Sequence, residues 1–140
     1  MISLVKQYTV FLPNKPGTLH SFIEIFAKEN INIIGISSEI HDDSGIIKIC
    51  VETNEKISYL LTRNGYTTLE TTMLSVILPD KPGQLIKITK ILAENNINIT
   101  SIYGTSSSYP SRLLLNVSDL EKTIKILKEN FPELNVESNK

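Results

Sequence analysis

LPNKPGTL, residues 12–19, returns sixty-six positions later as LPDKPGQL, residues 78–85. Sliding the chain against itself by that offset extends the match over a 25-residue window. Ile25, Ala27, Asn30, Ile31, Asn32, Ile33 and Ile36 recur as Ile91, Ala93, Asn96, Ile97, Asn98, Ile99 and Ile102. Two copies make a tandem domain and not a solenoid. The expected division is 1–71 and 72–140.

Each copy spells the same order of elements. Tyr8, Val10 and Leu12 alternate with polar or outward positions, as do Leu74, Val76 and Leu78, a period of two that predicts strands. Pro16 stands where the first turn of a helix tolerates a missing N–H. Leu19, Phe22, Ile23 and Phe26 then mark one face of a helix, and Leu85, Ile88 and Leu92 mark its counterpart. Asn30 and Asn96 end these helices, and β-branched runs (residues 31–40 and 97–102) predict second strands. HDDSG, residues 41–45, is a turn into a third strand, 46–51. A second helix is expected from about Thr53, carrying Ile57, Leu60 and Leu61 inward, with Gly65 closing it and a fourth strand from Tyr66. In the second copy TSSSYPS (105–111) is the turn, 112–117 the strand, and Ser118 with Glu121 a capping box for a helix that buries Leu120, Ile124 and Leu127. The expected fold is α+β: two ferredoxin-like βαββαβ units, each an antiparallel sheet with two helices on one face. Phe11, Ile33 and Ile49 are expected on the opposite sheet face, which packing of the two units on each other and on a second chain would cover.

Composition bounds the function. A formal charge of −1 argues against a protein that neutralises nucleic-acid phosphates. Every apolar run is far shorter than the about 20 residues of a membrane helix. The first residues lack the basic lead and cleavage site of a signal peptide. The single cysteine, Cys50, cannot close an internal disulfide, which fits a cytoplasmic protein.

A strand, then N/D-K-P-G-x-L, a helix, and N-I-N-I resembles the ACT domain, a small-molecule regulatory module of amino-acid metabolism, and the likeness covers essentially the whole chain. It is similar to small stand-alone tandem-ACT proteins. The resemblance implies a free amino acid as ligand, no cofactor, a homodimer, and a possible enzyme of amino-acid metabolism as partner. It also implies that the loop asparagine and the strand asparagine come from different units and meet around the ligand. By position the ligand-binding residues are Leu12, Asn14, Lys15, Pro16, Gly17, Thr18, Leu19, Asn32 and Ile33 in the first copy. In the second they are Leu78, Asp80, Lys81, Pro82, Gly83, Gln84, Leu85, Asn98 and Ile99. Some ACT domains carry a contacting histidine at the position of Leu12 and Leu78, so that contact is lost here.

The residues support the same use. A turn before a helix offers unpaired N–H groups and the positive end of the helix dipole, which hold a carboxylate without a basic side chain. An ionised Asp80 repels a carboxylate and suits an ammonium group, so the two loops are expected to differ. Architectural uses compete: Pro-Gly starts many helices, Asp80 can cap one, and Asn32 and Asn98 can bond a neighbouring loop. His20 and His41 lack partners at metal-ligand spacing. Cys50 reads as packing, the Ser106–Ser108 run lacks the glycines of a phosphate loop, and no nucleophile–base pair can be assembled. A non-catalytic sensor is therefore expected. The alternatives are a subunit resembling the small subunit of acetolactate synthase, and a ligand-free dimerisation scaffold.

Overall fold

A computed structural model describes residues 1–52, 56–79, 82–105 and 111–134. The elements run β1 (Ile2–Pro13), α1 (Thr18–Lys28), β2 (Ile33–His41), β3 (Ser44–Val51), α2 (Ile57–Arg63), β4 (Thr68–Leu78), α3 (Gln84–Glu94), β5 (Ile99–Thr105), β6 (Ser111–Val117) and α4 (Leu120–Asn130). The βαββαβ order is met in the first copy and, among the described residues, as far as the second helix in the second, with a difference at the join. The fourth strand of the first copy and the first strand of the second are a single strand, β4. Two compact units result: Val5–Thr72, and Met73–Lys140 together with Met1–Leu4. The chain's first four residues therefore belong with the second copy.

In the N-terminal unit the strands lie in the order β2-β3-β1-β4. β1 pairs antiparallel with β3 from Lys6↔Val51 to Pro13↔Ser44, and β3 with β2 from Ile33↔Val51 to His41↔Ser44. Strand residues alternate across a sheet, and every second one enters the core. Tyr8, Val10, Leu12, Ile47, Ile49 and Val51 meet Phe22 and Phe26 of α1 and Ile57 and Leu61 of α2 in one cluster. Both helices therefore cover the same face. Phe22 packs edge-on against Phe26 at 5.4 Å and against Tyr66 at 5.2 Å between ring centres. Of the three residues expected on the far face, only Phe11 lies there, 66% exposed. Ile49 is in the helix-side core and Ile33 packs against it, because register sets Ile49 opposite Tyr8 and Ile33 opposite Val51. β1 and β4 are tied by the Lys6 ammonium, which donates to the Thr72 hydroxyl at 2.8 Å, and by the Tyr8 phenol, which donates to the Glu70 carboxylate at 3.0 Å. Burial, then the hydrogen bond and charge of Glu70, push the Tyr8 phenol well above the ordinary tyrosine range.

The C-terminal unit orders its strands β1-β4-β6-β5, with Met1–Leu4 as the β1 contribution. β4 pairs with β6 from Leu74↔Leu115 to Leu78↔Ser111, and β6 with β5 from Ile99↔Val117 to Thr105↔Arg112. Ile2, Leu74, Val76, Leu78 and Leu115 pack with Ile88 and Leu92 of α3 and Ile126 and Leu127 of α4. The place beside β4 that a βαββαβ unit gives to its last strand is held by the chain's beginning. The last strand expected of the second copy would follow α4, where residues 135–140 lie outside the described residues, as do residues 53–55 at the expected start of the second helix.

Three helices end alike. Asn30 (φ 55°), Gly65 (φ 89°) and Asn96 (φ 59°) are left-handed, and Ile31, Tyr66 and Ile97 send their N–H groups back to Phe26, Leu61 and Leu92. This is the Schellman closure, which satisfies carbonyls a helix end leaves open. Its position also corrects the strands after it: β2 and β5 start at Ile33 and Ile99, not at 31 and 97. The capping box is displaced by one residue. Asp119 caps α4, accepting from the Lys122 N–H at 3.0 Å, while the Ser118 hydroxyl accepts from the Asn98 N–H at 2.9 Å. Ser118 is taken by the start of β5, and the aspartate beside it caps equally well. Asp119→Ala should therefore lower stability by about 1 kcal/mol, read by urea denaturation, whereas Glu121→Ala should change it by less than half as much.

The candidate ligand loops

The first loop hangs from the end of β1. Leu12 is buried in the core and Pro13 pairs with Ser44. Beyond it the Lys15 N–H turns back to the Pro13 carbonyl at 2.9 Å, a γ-turn about Asn14. Asn14 reaches the β2–β3 hairpin: its N–H donates to the Asp43 carbonyl at 2.8 Å, and its side-chain amide to the Asp42 carbonyl at 3.4 Å. Lys15 to Thr18 then form a second turn, closed by the Thr18 N–H on the Lys15 carbonyl at 3.3 Å. Gly17 has φ 89° and ψ −14°, so this is a type II turn with proline and glycine at its two central positions. The Thr18 hydroxyl lies 2.9 Å from the Pro13 carbonyl and 3.0 Å from that of Lys15.

This corrects the reading of the proline. Pro16 is not in the first helical turn; it presets the turn before the helix, and Gly17 is the helix cap, with no side-chain cap. Gly83 repeats that conformation at φ 90° and ψ −9°. The Ser21 N–H reaches the Gly17 carbonyl at 3.0 Å, and the Lys87 N–H reaches the Gly83 carbonyl at 3.2 Å. Two helices thus begin in the same way, each leaving its first amides without intrahelical acceptors. A Cβ at either glycine would meet nothing within 4 Å. Glycine is needed for the backbone angle, and the space beside it is open.

The motif leucines differ from expectation. Leu19 and Leu85 stand 37% and 48% exposed, while Phe22, Phe26, Ile88 and Leu92 are fully buried. The helical period places these leucines on the core side, but at the first turn the helix has not yet reached over the sheet. An apolar side chain thus remains in solvent at the start of both helices.

Asn32 and Asn98 are exposed residues just before β2 and β5, and Ile33 and Ile99 follow them at register shifts. Neither asparagine side chain bonds to a described residue, so the loop-bracing role is not taken up among these residues. Asn14 and Asn32 are not brought together within the unit. They lie at opposite ends of α1, whose 11 residues span about 16 Å. Pro82 is exposed and Gln84 half-buried; Asp80 and Lys81, and with them the expected difference between the loops, lie outside the described residues.

Other candidates resolve as structure. His20 sits 3.7 Å from Glu24 and His41 3.4 Å from Glu39, all exposed. Cys50 is buried in β3. Among the described residues no group of three or more His, Cys, Asp or Glu side chains could hold a metal, and no helix is long and apolar enough to cross a membrane. Sequence reasoning missed an open groove of about 370 Å³ between α1 and α2, lined by Ile25, Leu60 and Tyr66 with charged rims. Its charges are already paired, Lys28 with Glu24 at 3.3 Å and Arg63 with Glu29 at 3.8 Å.

The fold is that of known proteins. The structure of protein BT0572 from Bacteroides thetaiotaomicron is similar at 28% identity over 94% of this chain and 90% of that one, with a TM-score of 0.83. The ligand-free regulatory subunit of aspartate kinase from Thermus thermophilus shares the fold at 15% identity, over 93% and 96% of the chains, TM-score 0.66. Aspartokinase alpha and beta subunits share it at 20%, over 94% and 97%, TM-score 0.62. No curated protein sequence matches this chain at a significant level. The ACT domain family matches twice, over residues 9–62 and 72–132, and the chain belongs to the ACT-domain family.

Proposed function

We propose that the protein is a non-catalytic regulatory protein that binds a free amino acid and passes its level to a partner. The carrying observation is the repeated juxtaposition of open helix-start amides with an exposed motif leucine: Gly17 with Leu19, and Gly83 with Leu85. The amides suit an α-carboxylate, the leucine an aliphatic carbon, and the exposed Asn32 or Asn98 of a unit in a second chain an ammonium or carboxylate group. Because Asn14 and Asn32 are a helix length apart in one unit, a ligand touching a loop and a strand asparagine needs two units, which a homodimer would bring together. The Asn14 loop takes the carboxylate side; the Asp80 loop takes an amino group or stays empty.

Thermal unfolding against each of the twenty amino acids at millimolar concentration tests this. A ligand at a hundred times its Kd stabilises by about 2.7 kcal/mol, a shift of a few degrees for a chain of this size. One chemically related group should shift the transition, Asn14→Ala should abolish the shift, and Asp80→Asn should alter affinity or stoichiometry. No shift with any amino acid overturns the reading in favour of a scaffold, or of an enzyme subunit whose site its partner completes. The fold likeness to an aspartate kinase regulatory subunit of nearly the same length favours the subunit reading as the second choice, and co-purification of a catalytic chain would establish it.

A further inference from the structure

We propose that Met1–Leu4 is a detachable clasp on the C-terminal unit, and that its docking holds the end of β4 from which the second Pro-Gly loop departs. Met1 and Ile77 exchange both main-chain bonds: the Met1 amino group donates to the Ile77 carbonyl at 3.1 Å, and the Ile77 N–H to the Met1 carbonyl at 2.8 Å. Ile77 is two residues ahead of Pro79, so the clasp grips β4 immediately before the loop. Its side-chain anchor is Ile2, 1% exposed among Leu74, Val76 and Leu78; Leu4 is 46% exposed. The other edge of β4 carries five register pairs with β6, which bring Leu115 into the core.

A segment with one buried side chain opens at lower free energy than the unit it covers. Opening leaves a distinct signature, because main-chain groups in an antiparallel strand point alternately to its two neighbours. Ile77 faces Met1, so Ser75 faces the clasp as well, while Leu74, Val76 and Leu78 face β6. Release therefore frees alternate amides of one strand. It also removes a flank from the strand that leads into residues 79–83 and the start of α3. The consequence for a ligand at that loop rests on the amino-acid reading above; the clasp does not.

Residue-resolved amide hydrogen exchange on the full chain, and on Ile2→Asp and the milder Ile2→Ala, decides it without any ligand. In the unsubstituted protein Ile77 and Ser75 should exchange at least about tenfold faster than Val76. Ile2→Asp should remove protection at Ile77 and Ser75 and keep it at Val76. The Lys87 amide, the first of α3 to be bonded, should lose protection with them, while its counterpart Ser21 in the N-terminal unit should not. A common rate for Ile77, Ser75 and Val76 overturns the clasp, as does their joint loss of protection in both variants. Lys87 unchanged with Ile77 released overturns the hold on the loop.

Discussion

Phe22→Ala will unfold the N-terminal unit or leave it barely folded at room temperature. Phe22 is fully buried and makes edge-on contacts with Phe26 and Tyr66, joining α1 to the segment after α2. Removing a buried phenylalanine costs about 3–5 kcal/mol, against a total stability of roughly 5–15 kcal/mol for a typical domain. A unit of about 70 residues is at the low end of that range. Collapse cannot refill the site, since the cluster around it includes Tyr8, Val10, Ile47 and Ile49, which β1 and β3 hold in register. Urea denaturation should show the midpoint falling towards zero, and a loss below about 1 kcal/mol would mean that the Phe22 site is not the centre of this core. Phe22→Leu, which keeps most of the volume, should retain a cooperative transition.

Gly17→Val should cost less stability and more function. At φ 89° an L residue pays about 1–2 kcal/mol, and a β-branched one is a steric outlier there. The cheaper escape is for the turn to abandon its type II form, which moves the Leu19 and His20 amides away from the open space beside Gly17. Amino-acid affinity at the first loop should fall at least about tenfold, the equivalent of 1.4 kcal/mol. Gly17→Asn is the control, since asparagine tolerates the left-handed region and a Cβ here meets no neighbour; it should keep most of both properties. Equal affinity in the valine variant and the unsubstituted protein would show that the loop amides do not touch ligand. Chemical denaturation and ligand titration on the same samples separate the two effects.

The repeat at sixty-six positions and the helix ends at Asn30, Gly65 and Asn96 are legible in the chain because each is set by contacts within a few residues. Backbone preference operates at that range: glycine or asparagine where φ is positive, proline where φ is set in advance. The resemblance carried by KPGxL and NINI therefore led to the correct fold family. Three readings failed for a shared reason. Ile33 and Ile49 were expected on the wrong face, Leu19 in the core, and Ser118 at the cap, each from a pattern that counts positions along one element. Which face of a strand is covered depends on its partner's register, and whether a helix's first leucine is buried depends on how far the helix extends over its sheet.

Least legible of all is the closing of the C-terminal unit. Local pattern assigns Met1–Leu4 to the copy that follows it in the chain. Its partner is Ile77, a separation of 76 residues, and a strand edge accepts any segment that supplies main-chain groups and an apolar residue at the right alternation. Several segments of this chain meet that requirement in sequence. Geometry chooses among them: β1 and β4 are each long enough to serve two units, so the start of one comes to lie beside the end of the other. Local chemistry thus accounts for two similar units with glycine-hinged loops at their helix starts. Which segment completes the second unit follows from the path of two long strands through space.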